Sequence, residues 1–136
     1  MNEEATDNNG DEERWYIDMD WYQENRRSFS ALAQPCLCAK CRKKLKADEG
    51  EVAPNKLLSA IKDCCSKQSG FITTDLPVTE SIFRALLAGG NEPVEIVELG
   101  ERLKGWRGGS SGSASRTILS RLLMHDQYYG FTRYQG

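Results

Sequence analysis

Long apolar runs are missing from this chain. No stretch approaches the eighteen or more residues that a membrane-crossing helix needs. The N-terminus is acidic where a secretory leader would be basic and then apolar. Neither a membrane protein nor a secreted one is expected, and the chain is read as cytoplasmic. Histidine is nearly absent: His125 stands alone, which removes most histidine-based catalytic arrangements. No nucleophile–base–orienter set is visible, so no enzyme and no small-molecule substrate are expected. Asp18 and Asp20 have no nucleophile near them, and His125 beside Asp126 reads as a histidine complementing a helix dipole. The glycine-rich stretch Gly105-Trp106-Arg107-Gly108-Gly109-Ser110-Ser111-Gly112 is not followed by Gly-Lys-Ser/Thr. A phosphate loop is thereby excluded and a flexible linker is left.

What is present is 136 residues, 39% hydrophobic and 28% charged, enough for one modest domain or two small ones. The charge is segregated. Residues 1–25 set nine acids against Arg14, a balance of −8; 26–67 carry +6, 68–101 carry −5 and 102–136 carry +5, within a net charge of −2. Basic blocks attract phosphate even on a weakly acidic protein, although lysine and arginine also simply solvate surface helices. Residues 1–13 hold only Met1 and Ala5 as apolar residues and are expected to be a disordered acidic tail, able to repel DNA or to mimic it on the basic faces. Order is expected from Arg14. Trp15, Ile17, Met19 and Trp21 alternate as on a strand, while Trp15, Met19 and Tyr22 also fit a helical stripe, and periodicity leaves both open. Large aromatics among acids imply packing onto another surface.

Five cysteines crowd into 36–41 and 64–65, which reads as a metal or redox site before a disulfide frame. Cys38-Ala39-Lys40-Cys41 is a C-x2-C knuckle, whose tight turn aims two sulfurs at one ion and offers backbone N–H groups to them. After twenty-two intervening residues, Cys64-Cys65 closes the set. Adjacent residues on a helix point about 100° apart, so both can ligate only where the helix ends, and Ser66 to Gly70 read as such an ending. The expected ligands are Cys38, Cys41, Cys64 and Cys65, with Cys36 as the substitute and His125 as a remote candidate. Zinc is the expected ion because a closed structural site suits a chain short of core; an iron–sulfur cluster and metal-free thiols are the alternatives. Lys40, Arg42, Lys43 and Lys44 would offset the charge of a tetrathiolate site.

Helices are expected from Ser28 to Pro35 (Phe29, Leu32 and Ala33 inward), from Pro54 to Cys65 (Leu57, Leu58 and Ile61 inward), and from Thr79 to Leu87. The connection between Gly70 and Pro77 is the expected module boundary. Further on, Ile96, Leu99 and Leu103 share one side of a helix. Another helix follows from a serine cap near Ser113 to His125, with Ile118, Leu119, Leu122 and Leu123 on one side. Residues 128–134 have strand character.

This order resembles a winged helix-turn-helix domain over about 78–136. Pro93-Val94-Glu95-Ile96-Val97-Glu98-Leu99-Gly100-Glu101-Arg102-Leu103 is similar to the second helix of such domains. Gly130-Phe131-Thr132-Arg133 is similar to the close of the HARE-type family, found in bacterial RNA polymerase accessory subunits and chromatin-linked proteins. Two departures are the long glycine-rich turn and a single clear strand after it. Together with the tail read over 1–13 and the Cys-rich zinc-binding module read over 14–76, the resemblance gives a mainly α (α+β) fold that ends in a winged domain over 77–136. It also implies a transcription-type, nucleic-acid-associated factor. In that reading Arg116 and Arg121 touch phosphates or base edges, beside Thr117 and Ser120, and N–H groups near Ser113 hold a phosphate. Lys104, Arg107 and Arg133 add backbone contacts. The alternative is a protein-docking adaptor of a larger machine such as an RNA polymerase or ribosome; a third option is an iron–sulfur redox sensor on the same scaffold.

Overall fold

Trp15 and Ile17 point inward while Arg14 faces solvent, and this alternation makes a strand, β1 (Arg14–Ile17). The structure is a computed structural model and describes residues 13–108 and 115–135; expectations for 1–12, for 109–112 and for Ser113 lie outside them. The strand stops at Asp18, whose carboxylate accepts the Asp20 backbone N–H at 3.0 Å and caps α1 (Met19–Glu24). The two competing periods of 15–22 therefore hold in succession, strand first and helix after.

The cysteine-bearing part continues with short elements. Ser28 caps α2 (Phe29–Ala33) by accepting the Ala31 N–H, and a 3-10 turn holding Pro35 closes it. The knuckle opens a helix, α3 (Ala39–Lys44). Next comes α4 (Pro54–Asp63), with Pro54 in its first turn and Leu57 and Ile61 fully buried. It ends at Asp63, two residues before the expected end at Cys65, because Cys64 leaves helical geometry at φ −131°, ψ −61°.

Residues 78–135 supply α5 (Val78–Ala88), β2 (Val94–Glu95), α6 (Ile96–Arg107), α7 (Arg116–His125) and β3 (Phe131–Arg133). The cap of α5 is Pro77 and not Thr79, which lies inside the helix. Ile96, Leu99 and Leu103 are buried together on α6. On α7 the cap is Ser115, whose hydroxyl accepts the Ile118 N–H. Only Leu119 and Leu123 are fully inward there; Ile118 is 40% exposed, so the apolar stripe is narrower than its composition implies.

One antiparallel sheet, ordered β2-β1-β3, joins these parts. Trp15 faces Val94 on one side and Arg133 on the other, and Ile17 faces Phe131. Flanking backbone bonds extend the pairing: Ile96 N–H to Glu13 O, Tyr134 N–H to Arg14 O and Asp18 N–H to Gly130 O. A strand from the cysteine-bearing segment thus lies between two strands of the C-terminal segment. The connection expected as a module boundary is packed as well, with Phe71 and Ile72 buried. Ring contacts run from Tyr22 to Phe29, from Phe29 to Phe83 and from Phe83 to Tyr129, making one continuous core. The fold is mostly helical with a small antiparallel sheet, and among the described residues no helix is long and apolar enough to cross a membrane.

Asn91 clamps β1 from the side. It sits in the left-handed region at φ 64°, and its side-chain amide both accepts the Ile17 N–H and donates to the Ile17 carbonyl, each at 2.8 Å. Asparagine suits both demands, tolerating that conformation and imitating a neighbouring strand. Asn91→Ala strains the backbone and strips both partners from Ile17, so a loss of about 2–3 kcal/mol is expected in urea denaturation. Asn91→Gly, which relieves the strain alone, should lose less. Coincident midpoints for Asn91→Ala and the wild type would contradict the clamp.

Candidate metal centre and helix face

Two chain turns bring the thiols together. Cys38 is the N-cap of α3 at φ −74°, ψ 163°, and Cys41 lies in the first turn of that helix. Cys64 caps the end of α4, and Cys65 begins a 3-10 turn, Cys65–Lys67. The helix break that the adjacent pair requires comes at Cys64 itself, earlier than Ser66.

The sulfurs of Cys38, Cys41 and Cys64 all lie within 4.8 Å of one another. Cys38 Sγ is 3.8 Å from Cys64 Sγ and 3.5 Å from Cys65 Sγ. These gaps are far beyond a disulfide bond of about 2.0 Å, and all five cysteines are free thiols. Sulfurs at the corners of a tetrahedron with metal–sulfur bonds of about 2.3 Å stand about 3.8 Å apart, and the Cys38–Cys64 and Cys38–Cys65 gaps lie near that value, while the group within 4.8 Å holds Cys38, Cys41 and Cys64. The backbone aids the same arrangement. The Cys38 N–H donates to Cys65 Sγ at 3.2 Å, and Gln68 Nε2 lies 3.9 Å from Cys64 Sγ. N–H groups aimed at sulfur stabilise thiolate and orient ligands.

Electrostatics inside the cluster are divided. The Cys41 N–H is the main reason that the Cys38 thiol is pulled down to about 7, helped by the neighbouring sulfur groups. Loss of hydration pushes the Cys41 and Cys65 thiols up. Protons crowded among buried sulfurs are what a divalent cation displaces, since metal binding converts each thiol to thiolate. The residues therefore fit a tetrahedral thiolate-bound ion. A cleft of about 360 Å³, lined by Cys41, Lys44, Lys56, Asp63 and Cys64 among others, opens onto the cluster.

Cys36 is set apart. It is buried in the core, its thiol pushed up to about 12 by burial, and it is not part of the sulfur group. His125 lies on α7, away from the sulfurs.

The outer side of α7 forms the other candidate site. Arg116, Thr117, Ser120, Arg121, Met124 and His125 line a shallow concavity of about 400 Å³, together with Glu13. Lys104 and Arg133 are exposed, with Lys104 Nζ 3.8 Å from Glu101. Arg107 corrects the expectation of a backbone contact: its guanidinium turns inward and donates to the Thr73 and Leu76 carbonyls and to Ser81 Oγ, tying the end of α6 to the 71–77 connection. Ser113 lies outside the described residues.

Glu13 was expected in the tail and is instead ordered and 8% exposed. Its Oε2 accepts from Trp15 Nε1 at 2.9 Å and from Ser120 Oγ at 2.8 Å, and Arg116 lies 3.8 Å from Oε1. The readable signal is Trp15, because a buried indole N–H needs an acceptor and an acid stands two residues away.

No known protein family matches this chain, and neither does any curated protein or solved structure.

If the sulfurs hold a structural ion, Cys41→Ser should reduce bound zinc, measured by mass spectrometry of the native protein, from stoichiometric to near none and lower the melting temperature. Cys36→Ser should leave metal content unchanged. A wild-type melting curve indifferent to a strong chelator would count against a structural metal.

Proposed function

We propose that this protein is a zinc-stabilised, non-enzymatic factor with a winged-helix-like C-terminal part that contacts nucleic acid, in the manner of a transcription factor. The observation that carries the metal half is the sulfur spacing of 3.5–3.8 Å with N–H groups directed at the thiols. A closed four-thiolate shell favours a structural zinc over a labile ion, and zinc there would supply folding energy and no reaction. An iron–sulfur cluster, with the same ligands, would betray itself by visible absorbance in protein purified without air.

The nucleic-acid half rests on α7. The order α5, β2, α6, α7, β3 supports a winged-helix reading, with β1 standing where a wing strand would pair. Leu119 and Leu123 hold α7 to the core, which leaves Arg116, Thr117 and Arg121 exposed on the side away from it. Lys104 and Arg133 are exposed cations that add to the field around this face. Phosphate contacts of this kind give affinity without base choice.

One observation favours a second reading, docking onto a protein assembly such as a transcription or translation complex. Met124 is 66% exposed on α7, with Ile118 at 40% nearby on the same helix, and an apolar side chain in that position suits a protein partner better than a phosphate backbone.

Fluorescence anisotropy with a short random-sequence duplex at low salt separates the two. The nucleic-acid reading expects saturable binding with a dissociation constant of about 1–100 μM, the range of non-specific contacts. Arg121→Ala should weaken it and lower the slope of log K against log salt by about one. Absence of binding in that range would favour docking.

A further inference from the structure

Glu13 is the most enclosed acid on the surface of α7, and three donors of different kinds converge on its carboxylate. An indole N–H (Trp15, 2.9 Å), a hydroxyl (Ser120, 2.8 Å) and a guanidinium (Arg116, 3.8 Å) surround it at the inner edge of the α7 concavity. We infer that this is a phosphate-binding cradle filled by the protein's own carboxylate, and that a nucleic-acid phosphate takes the place of Glu13 when duplex binds.

The chemistry of the cradle is that of an oxyanion site. A neutral N–H, an O–H and a cation serve a phosphate oxygen as well as a carboxylate oxygen. Serine and arginine are both common phosphate contacts. The exchange leaves the sheet intact, because Glu13 is held there by its main chain: its carbonyl accepts the Ile96 N–H at 2.9 Å whatever the side chain does. Only the side-chain torsions need change for the carboxylate to swing out. The concavity beyond it is open, with Thr117 and Arg121 exposed along its wall, so the phosphate has room to enter. Glu13 in the free protein neutralises part of the field that would otherwise attract DNA, and so sets a threshold on binding by α7.

This inference rests on the nucleic-acid reading of α7, and the test keeps the two apart. Duplex anisotropy is measured over a salt series for the wild type and for Glu13→Gln, which keeps the shape and an acceptor oxygen for Trp15. Removing the competing charge should tighten binding about fivefold, the scale of an exposed ion pair. The slope of log K against log salt should stay the same, because Arg116 meets the phosphate in both complexes. In an Arg116→Gln background the gain should vanish, which a general change in net charge would not produce. A second readout needs no variant at residue 13: the Trp15 indole N–H resonance, assigned by its loss in Trp15→Phe, should shift when duplex is added to the wild type as its acceptor departs. Duplex binding that leaves both the Glu13→Gln affinity and the Trp15 resonance unchanged would overturn the cradle and spare the nucleic-acid reading. No binding by either protein would overturn both.

Discussion

A strand of four residues holds this molecule together. β1 is bonded along both edges, to β2 on one side and β3 on the other, and its inward side chains Trp15 and Ile17 are nearly or fully buried. Its neighbours, of two and three residues, are too short to form a sheet by themselves. Once β1 is in place, β2 and β3 each gain a paired inner edge. The same insertion places Glu13 against α7 and brings α1 against Gly130, where a side chain would be strained by the left-handed φ of 77° and tight against the Trp21 and Tyr22 rings. Position at one end of the chain is thereby converted into geometry at the other.

The sulfur cluster solves a separate difficulty. α3 has six residues, far below the length at which a helix is stable alone, and buries only Cys41. Its anchors are the thiols it shares with the end of α4, which in turn packs on α5 through the core. The cluster could hold a metal ion, which would tie α3 to the end of α4. Of the cations in and after the knuckle, Arg42 is engaged by Asp48 and the Gln34 carbonyl, and Lys44 lines the cleft beside Cys41 and Cys64.

Arg107 at the end of α6 and Arg116 at the start of α7 show how similar residues are assigned different work. Arg107 is spent on two carbonyls of the 71–77 connection and on Ser81 Oγ, while Arg116 stays at the surface beside Glu13. A face that retains few cations and an exposed methionine is suited to weak, adjustable contact, and the acid at its edge lowers its field further.

Local chemistry is readable in the residues alone. Ser28 as a cap, Pro54 in a first turn, the inward set Ile96, Leu99 and Leu103, and the knuckle Cys38–Cys41 paired with Cys64 and Cys65 all follow from spacing, because a cap, a stripe or a turn involves neighbours in sequence. A helix ending is implied by the need of two adjacent thiols to face one point, but its place at Cys64, ahead of Ser66 to Gly70, is not. Other features are not local. That 15–17 is strand and 19–24 helix depends on β2 and β3, some eighty and more than a hundred residues away, offering edges to pair with. That Glu13 is buried, Arg107 turned inward and Ile118 left exposed depends on which surfaces meet after the chain has folded back. Short-range torsional preference and side-chain period are written in the order of the amino acids; long-range pairing emerges only when distant backbone donors and acceptors compete for one another, and tertiary packing decided it here.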